Sequence, residues 1–323
     1  MTILRINWRN DIRMIEIKVL QAHQGDCIWV RCISEKTVNI VIDAGTSTFK
    51  KGFRNLVKEI NNKKERIDLL VFSHIDDDHI KGCIQYLQEK GEKIIDKVWI
   101  NGSGSRVYSD MQEHSVNNVS NLVTLIMEKN IPIETPILEG KEYVFCGGRI
   151  KVIGPTKNEM LKVATKIEHS NQVTEHAGYK YVGNIIDVQD KYQPDLSDSN
   201  KASIIMVVEF ENKKLLFTGD STSENIIKAV DKYYPGDEFE VVKLPHHGSP
   251  RNISRELIRR LSTNKFIIST NKALEKVVLF RFAEERKTTE LLCNYEWWAT
   301  GYFTEIFFYI IFREICLLYT SPS

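Results

Sequence analysis

The chain has 323 residues, enough for one domain of above-average size or one domain with appendages, and its 44 Lys and Arg against 43 Asp and Glu leave a net charge of +1. That balance excludes a global field drawing the chain to nucleic acid, the charged opening Thr2-Ile3-Leu4-Arg5-Ile6-Asn7-Trp8-Arg9 lacks the apolar core of a secretory signal, and the apolar run 306–312 is too short to span a bilayer. The six cysteines (Cys27, Cys32, Cys83, Cys146, Cys293, Cys316) contain no Cys-x-x-Cys pair and sit mostly in apolar runs, so reduced buried thiols in a cytoplasmic protein without a membrane partner are expected.

In chain order, apolar runs predict strands over 15–20, 27–32 and 38–42, a helix from about 53 to 62, and a buried strand over 69–72. A helix over 80–90, a strand over 97–100, a helix over 119–129 and a hairpin of 142–145 with 149–153 around Gly147-Gly148 follow. Residues 155–200, rich in Lys, Asn, Asp and Ser, read as a polar excursion over the site. The second half repeats the scheme with strands over 203–209, 214–218, 241–244 and 266–269 and helices over 223–233 and 255–261. Such alternation makes sheets covered by helices.

The chemistry concentrates in Ser73-His74-Ile75-Asp76-Asp77-Asp78-His79, directly after the strand that ends at Phe72. Two imidazoles and three carboxylates meet there. Uncompensated, the carboxylates repel one another, and a divalent cation resolves the conflict. The alternation lets His74, Asp76 and Asp78 converge in an extended turn, with His79 starting the next helix. The bland alternative is a solvated acidic loop. Far along the chain, Asp220 follows an apolar strand and Gly219, and it also reads as a helix N-cap before Ser221-Thr222-Ser223-Glu224. His246 and His247 follow the run 241–245. Adjacent residues of an extended segment point to opposite sides, so one of the pair is expected to bind metal: His246, with the order open to exchange.

These segments resemble the metallo-β-lactamase superfamily, whose signature is Thr/Ser-His-x-His-x-Asp-His-x-Gly-Gly. Asp76 stands where the second histidine usually sits, and Lys81 replaces a glycine. The His-x-Asp-x-Asp-His variant resembles the branch of the competence DNA-uptake channel hydrolase domain and the teichoic-acid choline-phosphate esterases. Leu20-x-x-x-Gln24-Gly25-Asp26-Cys27, Val41-Ile42-Asp43-Ala44-Gly45, Leu215-Leu216-Phe217-Thr218-Gly219-Asp220 and Lys243-Leu244-Pro245-His246-His247-Gly248-Ser249 fit that branch in the same order.

The resemblance implies an α/β fold, a four-layer αββα sandwich, over residues 14–271, with 272–323 an extension that departs from the family and reads as truncated or aberrant. Residues 1–13 read as preceding a start at Met14. The resemblance further implies a dinuclear site ligated by His74, Asp76, Asp78, His79, Asp220 and His246. Two divalent ions are expected, zinc foremost, with manganese or magnesium admitted by the oxygen-rich set. Asp78 would hold the attacking water as a metal-bound hydroxide and His247 would protonate the leaving oxygen. A further family histidine is missing; the matching segment 197–203 offers Asn200 and Ser203 instead, while His114, His169 and His176 read as surface residues. Lys81, Asn200, Ser203 and Ser249 are candidate substrate contacts, and Lys201, Lys243 and Arg251 further candidate phosphate-neutralising cations. The expected activity is hydrolysis of a small-molecule or nucleic-acid phosphodiester. The alternatives are a thioester or lactone hydrolase, or a degenerate metal- or nucleotide-binding regulatory module.

Overall fold

The computed structural model describes residues 2–7, 13–89, 94–101, 113–160, 190–286, 288–300 and 315–318. Much of the polar excursion predicted over 155–200, with His169 and His176, lies outside them; of His114 only the helical backbone is described.

Two mixed sheets form. The first runs β1 (Thr2–Asn7), β2 (Met14–Val19), β3 (Ile28–Ile33), β4 (Val38–Ile42), β5 (Leu69–Phe72), β6 (Val98–Ile100) and β7 (Ile133–Glu134) in spatial order. It is antiparallel from β1 to β4 and parallel from β4 onward. The second sheet repeats the plan: β8 (Glu142–Phe145), β9 (Gly148–Gly154), β10 (Ile205–Phe210) and β11 (Lys213–Phe217) are antiparallel, then β12 (Val241–Lys243), β13 (Lys265–Ile268), β14 (Thr289–Cys293) and β15 (Ile315–Leu318) continue in parallel. Central strands β4 and β5 are apolar or buried along their whole length because both faces are covered.

The sheets pack face to face through Ile17, Val30 and Ile40 of the first against Met206, Val208 and Leu215 of the second. Helices α1 (Lys50–Asn62), α2 (Asp77–Leu87) and α3 (Glu113–Glu128) cover the outer face of the first sheet, with Phe53, Ile60, Ile84 and Ile126 packed on Val41, Leu70 and Phe72. On the second sheet, beside the short α4 (Asp198–Lys201), helices α5 (Ser223–Tyr233), α6 (Arg255–Arg260) and α7 (Lys276–Glu285) set Ile226, Leu257 and Phe282 against Leu216, Val242 and Phe266. The layers are therefore α, β, β, α, as the resemblance implies. Among the described residues no helix is long and apolar enough to cross a membrane.

Three segments differ from the sequence reading. Helix α2 begins at Asp77, three residues earlier than expected, because the carboxylates of Asp77 and Asp78 sit favourably at the positive end of its dipole. Strand β1, from the residues read as preceding the start, pairs along all of β2. Beyond 272, read as a truncated or aberrant extension, α7, β14 and β15 extend the second half.

Helix α7 is anchored by Arg281, buried at 1% exposure, which donates to Asp190 (2.8 Å) and to the carbonyls of Pro250 and Ile253. Arg281→Ala would leave the Pro250 and Ile253 carbonyls without this donor in a closed space and leave Asp190 to Arg255 alone. A loss of about 1–3 kcal/mol is expected, read as a lower urea midpoint; a midpoint within error of wild type would refute the anchor.

Candidate metal centre

In open α/β sheets ligands collect beyond the C-terminal ends of parallel strands. Here β4 ends on Asp43, β5 leads to Ser73 and His74, β11 leads to Asp220, and β12 leads to His246 and His247. All of these side chains reach one rim of the sandwich.

Asp43 adopts a left-handed conformation (φ 59°), uncommon for a residue with a side chain. Its carboxylate accepts from the Ser73 backbone N–H (2.8 Å) and pairs with His79 Nδ1 (2.9 Å). With Nδ1 committed to Asp43, His79 turns Nε2 into the site, 3.3 Å from Asp220 Oδ2 and 3.8 Å from Asp78 Oδ1. His247 repeats the arrangement: Nδ1 donates to the Ser269 carbonyl (3.1 Å), and Nε2 lies 3.4 Å from Asp78 Oδ2 and 3.6 Å from Asp220 Oδ2. His246 Nδ1 is held by Asn252 Oδ1 (3.0 Å), with Asp195 Oδ2 at 3.5 Å, and its Nε2 lies 3.9 Å from Asp220 Oδ2. An imidazole whose far nitrogen is fixed by an acceptor is prepared to ligate through the other.

His246 and His247 would point to opposite sides only on extended backbone. The segment instead turns through two consecutive left-handed residues (φ 46° and 55°) before Gly248, so both Nε2 atoms face Asp220. Such backbone persists only where its surroundings enforce it, commonly at sites.

Asp220 lies at the middle of this set. Thr222, not Asp220, caps α5 with its side chain, which leaves the Asp220 carboxylate to the site. His74 Nε2, His79 Nε2, His247 Nε2, Asp26 Oδ1 and Asp220 Oδ1 are buried without a hydrogen-bond partner among the described residues. Buried polar atoms are normally paired. Four overlapping groups bring ligand atoms within 4.8 Å of one another: His74, His79 and Asp220; Asp78, His79 and His247; Asp26, Asp220 and His247; and Asp26, Asp43 and His79. Nitrogen and carboxylate donors in this arrangement suit a borderline divalent cation.

Charge follows geometry. Burial alone would raise Asp220, but His79, His247 and His246 hold it well below the carboxylate range. Burial would lower His79, yet Asp220, Asp43 and Asp78 push it well above the ordinary imidazole value. His247 is pushed up to about 10, the pull of Asp220 and Asp26 exceeding the burial penalty. Asp78 falls to about 2 against burial because of His79 and His247. Lys243 is raised although burial opposes it, through Asp26 and Asp220. Without metal, protons on the imidazoles carry the compensating charge.

The other sequence candidates stand further out or are occupied. Asp76 precedes α2 with its side chain 44% exposed, 3.5 Å from His74 Nδ1, and it belongs to none of the ligand groups. Lys81 pairs with Asp77 one turn back on α2. Buried Asn200 donates to Asp195 (2.6 Å) and lies 3.3 Å from His246 Nδ1, while the Ser203 hydroxyl accepts from the Asp220 backbone N–H (3.2 Å). The Ser249 hydroxyl accepts from the Arg251 N–H (3.3 Å). Lys201 reaches the Leu196 carbonyl (3.2 Å) and Asp198, and Arg251 is exposed. Asp43 and Asp26 stand out in sequence only as parts of family-like segments, and Asp195 and Asn252 do not stand out at all. The Asp-Ala-Gly strand end was the available signal for Asp43; Asp195 and Asn252 lie in polar loops with no pattern of their own.

Gly25 shows how closely the site is packed. A Cβ on it would lie 2.0 Å from the Asp78 carbonyl oxygen, a clash of backbone against side chain that nothing flexible relieves. Gly25→Ala is expected to displace Asp78 and the start of α2. A lowered melting temperature and weakened metal retention would follow; wild-type metal content and melting would count against the contact.

The architecture is that of the metallo-β-lactamase fold. No protein-family model matches the sequence, and no curated protein matches it. Similar solved structures include a candidate metal-dependent hydrolase from Parabacteroides distasonis (10% identity, 90% of this chain and 97% of that one, TM-score 0.47). The metallo-β-lactamase fold protein YhfI from Bacillus subtilis is similar at 7% identity over 80% and 84% of the two chains, with a TM-score of 0.40. A diphosphatase of the PhnP family is similar at 11% identity over 76% and 73%, with a TM-score of 0.38. With TM-scores below 0.5, none of the three bears on activity.

Proposed function

We propose that the chain is a metal-dependent hydrolase acting on phosphodiesters. The observation that carries the reading is the gathering of buried His74 Nε2, His79 Nε2 and His247 Nε2, each without a hydrogen-bond partner among the described residues, with Asp78 and Asp220 in overlapping triads that share His79. His74, His79, Asp78, Asp220 and His247 would hold the divalent ions. Metal at these ligands supplies Lewis acidity and an acidified water, which serves ester hydrolysis near neutral pH. The residues divide the remaining work by exposure. Asp220 is 5% exposed and holds charge inside; Asp78 is 26% exposed and meets solvent, so it is the carboxylate able to accept a proton from an incoming water. His246, 37% exposed and fixed at Nδ1, is placed at the solvent edge as a proton donor to a leaving oxygen, a role the sequence reading had assigned to His247.

The phosphodiester assignment rests on the carboxylate-rich donor set and on the motif resemblance. The test is metal content together with turnover of bis-p-nitrophenyl phosphate, single-stranded DNA and a thioester. Metal-dependent release of p-nitrophenol is expected. Turnover of the thioester alone would keep the fold and discard the substrate class; absence of stoichiometric metal would discard the hydrolase.

A further inference from the structure

Directly behind the metal ligands lies a charge that the proposed chemistry does not use. Lys243, at the end of β12, is 2% exposed, too buried to reach a substrate phosphate. Its ammonium forms an ion pair with Asp26 Oδ2, donates to the Gly219 carbonyl (3.2 Å), and lies 3.8 Å from Asp220 Oδ1. Asp26 belongs to the loop between β2 and β3 of the first sheet, so the pair spans the boundary between the sheets where ligands from both meet. Asp26 also turns its other oxygen to His247 Nδ1 at 3.3 Å.

Two of the four ligand groups, Asp26 with Asp220 and His247 and Asp26 with Asp43 and His79, share Asp26 and so have a cation on them already. We infer that Lys243 is a permanent, non-exchangeable cation of the centre: it occupies Asp26 and with it both groups that contain Asp26, confines divalent metal to the His74–His79–Asp220 and Asp78–His79–His247 groups, and holds Asp220 so that Oδ2 faces the imidazoles. Two oxygens of Asp220 thus serve different cations. Oδ1 looks to Lys243 at 3.8 Å and Oδ2 to His79 at 3.3 Å. A buried carboxylate pair left without its ammonium would either repel or recruit another cation, since an uncompensated charge in a closed space is costly. Removing both members of an ion pair avoids that cost.

The inference rests on the proposed metal centre, and the test separates the two. Wild type, Lys243→Met, and Asp26→Asn combined with Lys243→Met are stripped by chelator, melted, then reloaded with Zn²⁺ or Mn²⁺ and assayed for bound metal. Lys243→Met is expected to melt lower than wild type when metal-free and to retain one additional equivalent of metal per chain. The double variant is expected to recover most of the metal-free melting temperature and to return to the wild-type metal count, because the Ser269 carbonyl still fixes His247 Nδ1. Wild-type melting and metal content in Lys243→Met would overturn the inference, as would a double variant no better than the single one. Should wild type take up no metal, the hydrolase reading fails, while the metal-free melting temperatures still decide whether Lys243 compensates Asp26 and Asp220.

Discussion

Asp78→Asn is expected to lower turnover by about 10²–10⁴-fold with little change in KM, the range a positioned general base contributes. The residue sits at the first turn of α2, where Asp78 Oδ2 lies 3.4 Å from His247 Nε2 and Oδ1 lies 3.8 Å from His79 Nε2. Its carboxyl is held at about 2, so it is ionised across the neutral range and available as a charged donor or proton acceptor. An amide of nearly the same shape keeps the packing but provides neither. The helix start should survive, because Asp77 remains at the positive end of the dipole. A fall in kcat with KM preserved separates loss of a reacting group from loss of substrate binding. Near wild-type turnover in Asp78→Asn would assign the measured hydrolysis to another site or another protein. A parallel change at Lys81 should act less, since that ammonium is engaged with Asp77 on the same helix.

The parts of this arrangement legible in sequence are those written as local patterns. Apolar runs such as Leu69–Phe72 and Val38–Ile42 gave strands because both faces of a central strand are buried. The acidic cluster after Phe72 announced itself by charge density alone. Less legible was everything set by contacts between distant segments. Nothing near Lys243 in sequence reveals that its partner is Asp26, in the opposite sheet. The left-handed turn at His246 and His247 defeated an argument that assumed extended backbone, since glycine stands only at the following position. Asp76 shows the converse: the motif's spacing suggested a ligand, but the helix begins directly after it and leaves its side chain in solvent beside His74. Helix α7 was missed for a third reason. Lys276-Val277-Val278-Leu279-Phe280-Arg281-Phe282 is apolar nearly all round, and its one polar buried residue, Arg281, makes sense only once Asp190 and the Pro250 and Ile253 carbonyls are beside it.

Metal removal should make stability strongly dependent on pH in the alkaline range. In the metal-free centre the imidazoles carry the positive charge that balances Asp220, Asp78 and Asp43. His247 rises from the ordinary 6.5 to about 10 on folding, and His79 moves in the same direction. A group whose folded pKa is raised contributes stability that is complete below its unfolded value and is lost as pH climbs through the folded one. The metal-free protein is therefore expected to melt at progressively lower temperature from about pH 6.5 to about pH 10. Asp78 has the opposite sign: lowered from 3.8 to about 2, it contributes stability that is present above 3.8 and disappears as pH falls through 2. Between these limits lies the plateau. Divalent metal must displace the imidazole protons, so its apparent affinity should rise with pH and its binding should release protons. Chelated and metal-loaded samples melted from pH 5 to pH 9.5 should accordingly diverge as pH rises, the loaded form holding its melting temperature while the chelated form loses it. Calorimetric titration in buffers of different ionisation enthalpy counts the protons released. A metal-free melting temperature flat above pH 6.5, with no proton release on loading, would mean that the imidazoles do not compensate these carboxylates and that no cation takes their place.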